Sequence, residues 1–502
     1  MTLGELVSAL PHAVKLPADV AGRTVTGVAY DSRRVAPGSV FVALRGMRSD
    51  GALFAPQAEA RGAALIVAEV ARQGGVRAPW LEVPSARIAL AELADRFWDH
   101  PSGSLRVVGI TGTNGKTTTA YLLRAIFEAA GMRCGLLGTV VYSLGAEDHA
   151  AERTTPEAPE LQQMLRRMVE FGCVAAVLEV SSHALALHRV DAMTFAAGVF
   201  TNLTRDHLDF HENMESYFAA KRRLFEMLPP GAPTVVNLDD PRGAHLRSHG
   251  GVSVSYAIRT DADVTPEPFD LALGGLSFTA RTPRGPVRVR SRLVGRPNVY
   301  NILAAIATGI ALDLPIEAIE AGLEQQPGVP GRFEVVAVGE SDVTVVVDYA
   351  HTDDALKNLL ETARALAPTR LVTVFGCGGD RDRTKRPLMG AVAGRLSDIV
   401  VITSDNPRSE DPLRIVEEVR RGIPAPRADG RTGASAPDVV VQVDRREAIS
   451  RAIEDARPGD LVVIAGKGHE KTQVIGDRVL PFDDVAVARE ALERRQRRSR
   501  AS

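Results

Sequence analysis

The sequence predicts an α/β protein of three domains. These are an N-terminal α/β unit over residues 1–103, a central parallel-sheet unit over 104–330, and a C-terminal doubly wound, Rossmann-like unit over 331–502. Three observations carry that expectation. At 502 residues the chain exceeds what one hydrophobic core supports, and about 100–200 residues per domain gives about three. Short apolar runs rich in Val and Ile alternate with helical stretches, the pattern of strands buried between two helical layers. Turn-forming "DHPSGS" and "QQPGVPGRFE" interrupt the alternation near residues 103 and 330.

In the first unit "TVTGVAYDSRRVAPGSVFVAL" shows apolar alternation around a Pro-Gly turn, and "APQAEARGAALIVAE" reads as a helix running into a strand. In the central unit "LRVVGI", "VAAVLEV" and "AAGVFTNL" are strand candidates, and "TTAYLLRAIFEAAG" has helical spacing. "SYFAAKRRLFEML" reads as an amphipathic helix with Tyr217, Phe218, Leu224 and Phe225 inward and the basic cluster Lys221 to Arg223 solvated. In the third unit "VTVVVDYA", "RLVTVFGCGGD", "DIVVITSDNP" and "DLVVIAGKGHE" again alternate with helices. "IPAPRADGRTGASAPD" reads as a surface loop and the basic tail "ERRQRRSRAS" as a frayed end.

A composition of 45% hydrophobic and 24% charged residues is that of a soluble globular chain. A formal net charge of -2 argues against broad nucleic-acid binding. The start lacks the features of a signal peptide and no apolar run reaches about 18 residues, so cytoplasm without membrane insertion is the expectation. Cys134, Cys173 and Cys377 form neither a disulfide framework nor a zinc pattern and read as packing residues.

The strongest signal is "VVGITGTNGKTTTAYLL", a strand entering a glycine-rich turn that opens a helix. Glycines Gly112 and Gly115 let backbone N–H groups close on phosphate oxygens, and Lys116 adds a full positive charge to the helix N-terminus. A threonine hydroxyl there can ligate Mg²⁺. The spacing departs from G-x-x-x-x-G-K-[ST], since Ile110 stands five before Gly115. ATP is the expected ligand. Glu179 interrupts an apolar strand, and a buried carboxylate needs a partner or a metal, so Mg²⁺ on ATP phosphates and a core glutamate satisfied by a neighbouring arginine or backbone both remain open. His207, at the end of another strand, is equally readable as structural.

"GITGTNGKTTT", "EVSSHAL" with Arg189, "TNLTRDHLDFH", "YFAAKRRLF", "VVNLDDP", "GRPNVYNILAA", "VPGRFE", "VDYAHT", "FGCGGDRDRTKRPLMG", "DNPR" and "GKGHE" occur in the order seen in Mur ligases. The chain resembles the ligases of that family that act on UDP-N-acetylmuramoyl-L-alanyl-D-glutamate, and the resemblance spans all three units. It implies a UDP-sugar-binding first domain, an ATP-binding P-loop second domain and an amino-acid-binding third domain. The implied reaction is ATP-dependent addition of a third amino acid to a peptidoglycan precursor through an acyl phosphate, by a monomer.

Carried over by motif, Gly112, Thr113, Asn114, Gly115, Lys116, Thr117 and Thr118 cradle the triphosphate, and Thr117 and Glu179 hold Mg²⁺. Lys221 is carbamylated in the family and serves a second Mg²⁺ beside His207. Asn298, Arg332 and Asp348 match nucleotide contacts. Without the resemblance, Asn298 reads as a helix cap and Arg332 as a surface arginine. Tyr30 and Ser32 match uridine-nucleotide contacts, and Thr154, Thr155, Ser181 and Arg189 match contacts to the sugar and dipeptide. Arg153, Leu187 and Asp353 depart from the residues common in relatives.

The resemblance also implies the amino acid. Relatives using meso-2,6-diaminopimelate carry Asp-Asn-Pro-Arg at the place of Asp405, Asn406, Pro407 and Arg408, and a guanidinium suits that substrate's far carboxylate. Arg381, Gly466 and Glu470 complete the implied site, with Glu470 for the far ammonium. Alternatives are the same reaction with L-lysine, a folylpolyglutamate synthetase, and a P-loop ATPase that binds a wall precursor without ligating it.

Overall fold

The structure, a computed structural model, describes residues 1–501 apart from 11–15, 47–48, 73, 248–250, 338–340 and 425–435. The surface loop expected around residues 423–438 therefore lies largely outside the described residues.

The first sheet pairs Gly27–Ala29, Ser39–Val42, Leu65–Ala68 and Trp80–Glu82 in that order, all parallel. Pro37 and Gly38 thus lead into a parallel strand, with the short turn Ser32–Arg34 lying in the crossover between the first two strands. Ser85 caps the helix Ala86–Phe97 by accepting from Ile88 N at 3.3 Å. That helix packs Ala89, Leu90 and Leu93 with Val40, Val42, Leu65 and Val67.

The central sheet has eight strands in the order Ser253–Tyr256, Thr234–Asn237, Ala197–Phe200, Arg106–Thr111, Ala175–Glu179, Cys134–Leu137, Val141–Ser143 and Asp148–Ala150. The first six run parallel and the last two are antiparallel additions. Because side chains alternate across a strand, Val107 and Val108 enter opposite cores. Val108 joins Leu122, Ile126, Ile302 and Ile306 of the helices Lys116–Ala129 and Arg296–Ala311. Val107 joins Leu161, Leu165, Leu224 and Phe225 of Ala158–Glu170 and Met214–Glu226. The parallel-sheet reading did not anticipate a separate antiparallel sheet of Thr265–Pro266, Leu276–Arg281 and Val287–Ser291.

The C-terminal sheet runs Glu334–Val336, Thr344–Asp348, Leu461–Ala465, Leu371–Phe375, Ile399–Ile402 and Asp438–Val441, with only the first strand antiparallel. Helices Asp353–Ala365, Lys385–Leu396 and Pro412–Arg420 cover one face, and Arg445–Glu454 and Asp484–Ala501 the other. The basic tail, expected to fray, instead continues that last helix. Arg445 and Asp484, both fully buried, pair at 2.7 Å, and Arg445 Nη2 also donates to Ala465 O at 3.0 Å, pinning the strand end before Gly466. Arg445→Met is expected to lower unfolding free energy by about 3–5 kcal/mol, read by urea titration, because it strands a buried carboxylate.

Candidate active site

The strand Arg106–Thr111 lies between the strand ending at Glu179 and the strand ending at Phe200, where successive connections leave in opposite directions. Such a switch point leaves a crevice at the carboxyl ends of the strands. The chain leaves this strand through Gly112, at φ 147°, and turns into its helix through Gly115, at φ 89°. Both need glycine. A Cβ at Gly112 would stand 1.9 Å from Thr201 Oγ1, and one at Gly115 would stand 2.3 Å from Asn301 Oδ1. The loop is held from beneath by Thr113 N donating to Asn202 O at 2.8 Å and Asn114 N donating to Asn202 Oδ1 at 2.9 Å. Gly115→Ala is therefore expected to weaken ATP binding at least about tenfold, measured by equilibrium titration.

At the loop's end Lys116 Nζ donates to the carbonyls of Gly112 and Thr113 at 3.0 and 2.8 Å. Glu179 is fully buried, and its Oε2 accepts from Thr117 Oγ1 and Thr139 Oγ1, each at 3.0 Å, while Oε1 accepts from Thr139 N at 2.9 Å. No arginine pairs with it among the described residues; the Thr139 backbone and two threonine hydroxyls satisfy it. Among the described residues no three His, Cys, Asp or Glu side chains converge as a cation site. One carboxylate with the hydroxyls of Thr117 and Thr139 is a hard-oxygen set that fits a Mg²⁺ keeping water and phosphate ligands.

Lys221 corrects the expectation of a solvated basic cluster: it is 1% exposed. The helix carries it inward beside Phe218, Leu224 and Phe225, and its Nζ donates to Gly112 O at 2.7 Å, 4.5 Å from the Tyr217 ring centroid. Burial, then the neighbouring Lys116, pushes its amine well below the ordinary lysine range. His207 sits in the left-handed region at φ 54°, with Nε2 3.4 Å from Asp206 Oδ2 and its ring against that of His183. Desolvation in the cleft pushes its imidazole down to about 3, against the pull of Asp206.

The C-terminal unit closes the same cleft, about 260 Å³, which is lined by Lys116, Glu179, His207, Asn298, Arg332 and Asp348. Arg332 is no ordinary surface residue: its Nη2 donates to Thr117 Oγ1 at 3.2 Å and its guanidinium lies over the Tyr349 ring. Asp348 accepts from Phe333 N and Ala350 N at 2.7 and 2.8 Å, and burial raises its pKa. Asn298 lies inside the helix after Gly295 rather than capping it. Its Nδ2 donates to Val294 O and its Oδ1 accepts from Asn301, the residue packed on Gly115.

Thr154 and Ser181 line this cleft beside Glu179. Thr155 Oγ1 donates to Glu179 O at 2.8 Å, and Arg189 Nη1 donates to Thr155 O at 3.0 Å. Tyr30 lines a second cavity of about 360 Å³ between the first and central units. Ser32 does not line it; buried, it donates to Gln57 Oε1 at 2.8 Å.

Asp405, Asn406 and Pro407 are buried after the strand Ile399–Ile402, and Arg408 takes the left-handed conformation at φ 50°. This turn does not line the nucleotide cleft. Arg408 Nη1 donates to Gly379 O at 2.7 Å, and a Cβ at Gly378 would lie 3.0 Å from that nitrogen and 3.9 Å from Arg381 Cγ. A guanidinium nitrogen of Arg408 and the aliphatic stem of Arg381 thus border Gly378, while Arg381 Nη1 donates to Asp380 O at 3.3 Å. On the neighbouring loop Asn406 Nδ2 donates to Glu470 Oε2 at 2.9 Å, and Gly466 N donates to Asp348 O at 3.1 Å. The Tyr349 ring meets both Arg332 and His469, so the phosphate side and the Glu470 side share one stack.

Family models match in sequence order: "Mur ligase family, catalytic domain" over residues 24–98, "Mur ligase middle domain" over 110–309 and "Mur ligase, glutamate ligase domain" over 331–468. A UDP-N-acetylmuramoyl-L-alanyl-D-glutamate--2,6-diaminopimelate ligase of Solibacter usitatus is 47% identical over 98% of both chains. The chain belongs to the Mur ligase family. The correspondingly named Gloeobacter violaceus protein is 46% identical over 94% of this chain and 95% of its own. A solved structure of a ligase with that name is 33% identical, with a TM-score of 0.69 over 99% of this chain and 100% of that one.

In this Mur ligase the departures have local accounts. Arg153 Nη1 and Arg189 Nη2 share Glu157 Oε1, each at 2.7 Å. Leu187 ends the short helix Ser182–Ala186, its N–H donating to His183 O at 2.8 Å. Asp353 opens the helix Asp353–Ala365, where a carboxylate favours the dipole, and pairs across the cleft with Arg205 at 3.3 Å. Its neighbour Asp354 accepts from Asn114 of the phosphate loop at 3.0 Å. Sequence reasoning missed Thr139, Asn301 and Arg205. Asn301, inside "GRPNVYN", and Arg205, inside "TNLTRDHLDFH", carried a signal; Thr139 did not.

Proposed function

We propose that this Mur ligase joins meso-2,6-diaminopimelate to UDP-N-acetylmuramoyl-L-alanyl-D-glutamate at the expense of ATP. The observation that carries the ligase reading is the phosphate loop, buried Glu179 and Arg332 of the C-terminal unit converging on one cleft. An unactivated carboxylate does not form an amide, so the γ-phosphoryl group passes to the D-glutamyl side-chain carboxylate and the acyl phosphate is attacked by an amine. Such catalysis rests on positioning and charge stabilisation.

The loop N–H groups and Lys116 hold the triphosphate, Asp348 accepts from ribose hydroxyls, and Arg332 bridges the two units at the phosphates. Thr117 and Glu179 would hold a Mg²⁺, which supplies charge neutralisation on the phosphates. Lys221, its amine pushed well below the ordinary lysine range by burial and by Lys116, is suited to add to CO₂ with loss of a proton. The resulting carbamate anion would face Lys116 with the opposite charge and offer oxygens beside His207. Thr154, Thr155, Ser181 and Arg189 would orient the dipeptide, and Tyr30 with Ser32 the uridine nucleotide. Support for the amino acid comes from Arg408 at Gly378 and from Glu470, held by Asn406 of the same turn at 2.9 Å, which match a second carboxylate and a second ammonium.

Mixing the protein with ATP, the UDP-muramoyl dipeptide and single amino acids is expected to release ADP and phosphate only when all three substrates are present. Release without an amine would favour a non-ligating ATPase.

A further inference from the structure

Lys467 lies between Gly466 and Gly468 at the end of the strand Leu461–Ala465 and is fully buried. Its Nζ donates to Glu470 Oε2 at 2.8 Å and to Asn406 Oδ1 at 3.1 Å, and stands 3.6 Å from Asp405 Oδ1. Asn406 completes the circle: its Oδ1 also accepts from Val474 N at 3.0 Å, and its Nδ2 donates to the same Glu470 Oε2 at 2.9 Å. Oε2 of Glu470 is thus taken by two internal donors, whereas Oε1 has no protein partner among the described residues. Asp405 Oδ1 is buried and makes no hydrogen bond. The cluster holds two carboxylates and one ammonium, one positive charge short of neutrality.

Resting on the diaminopimelate reading above, we propose that Lys467 is a positioning residue that fixes Glu470 with one oxygen turned to the far ammonium of the amino-acid substrate. With Asn406 it locks Oε2, leaving Oε1 to accept from the substrate, whose ammonium supplies the missing charge. A buried cation is costly to maintain, and here its partners are residues of the substrate-reading turn and loop. Without it, Asp405 and Glu470 repel and Glu470 turns outward.

A substrate comparison separates this role from general support of the fold. 2-Aminoheptanedioate keeps the far carboxylate of meso-diaminopimelate and lacks the far ammonium. Lys467→Met is expected to raise the KM for meso-diaminopimelate about 10- to 100-fold. The binding of 2-aminoheptanedioate, read as KM or as Ki in competition, is expected to change less than about threefold, with the KM for ATP unaltered. Equal losses on both compounds, with the unaltered protein active, would overturn this inference alone. Absence of tripeptide product from the unaltered protein would overturn the ligase reading and this inference with it. A variant that does not fold is replaced by a crystal structure of the unaltered protein with meso-diaminopimelate. Lys467 Nζ is expected within about 3 Å of Glu470 and the far ammonium on the other carboxylate oxygen. Lys467 turned to the substrate would contradict the proposal.

Discussion

Arg408→Asn is expected to raise the KM for meso-diaminopimelate about 10²- to 10³-fold while leaving the KM for ATP unchanged. Asparagine is the informative replacement because residue 408 sits at φ 50°, a conformation asparagine tolerates better than alanine does. The loss then reports the guanidinium rather than a strained turn. Arg408 places a guanidinium nitrogen beside Gly378, so a carboxylate delivered there meets a cation, and removing one partner of a desolvated charge pair costs about 2–5 kcal/mol. L-lysine has no far carboxylate, so any reaction with it should change little. Initial rates across substrate concentrations read both effects, and a KM shift for ATP of the same size would show that the turn serves the nucleotide instead.

Lys116→Ala is expected to lower kcat about 10³-fold with the fold intact. Among the described residues the side chain donates only to two carbonyls of its own loop, Gly112 and Thr113, so its removal breaks no long-range hydrogen bond. Its loss falls on the transferring phosphoryl group, where one preorganised donor is worth about 10²- to 10³-fold and a full charge the upper end. Single-turnover assays give the rate, and a melting temperature within a few degrees of the unaltered protein shows that chemistry was lost and not structure.

What was legible in the sequence was what is local. The strand, glycine turn and helix around Gly112 to Thr118 announce themselves because each needs particular residues in immediate succession. The parallel strands of the central and C-terminal units read as unbroken Val and Ile runs because both faces are covered. Lys221 was read as solvated because helical spacing cannot say what packs over a basic cluster, and only the approach of Gly112 and Tyr217 buries it. Arg332 looked like surface for the same reason, its partner Thr117 being 215 positions away. Lys467 could have been suspected by the logic applied to Glu179, since an ionisable residue directly after the apolar run "LVVIA" needs a partner. The antiparallel sheet was hinted at by the buried and exposed alternation of "VRVRS", overshadowed by the parallel pattern around it.

The most direct measurement is the mass of the product formed when the protein receives ATP, UDP-N-acetylmuramoyl-L-alanyl-D-glutamate and an equimolar mixture of meso-diaminopimelate and L-lysine. The geometry of Arg381, Arg408 and Glu470 predicts one product carrying diaminopimelate, with ADP and phosphate formed in equal amount. A product carrying lysine, or ADP formed with no product, would contradict it.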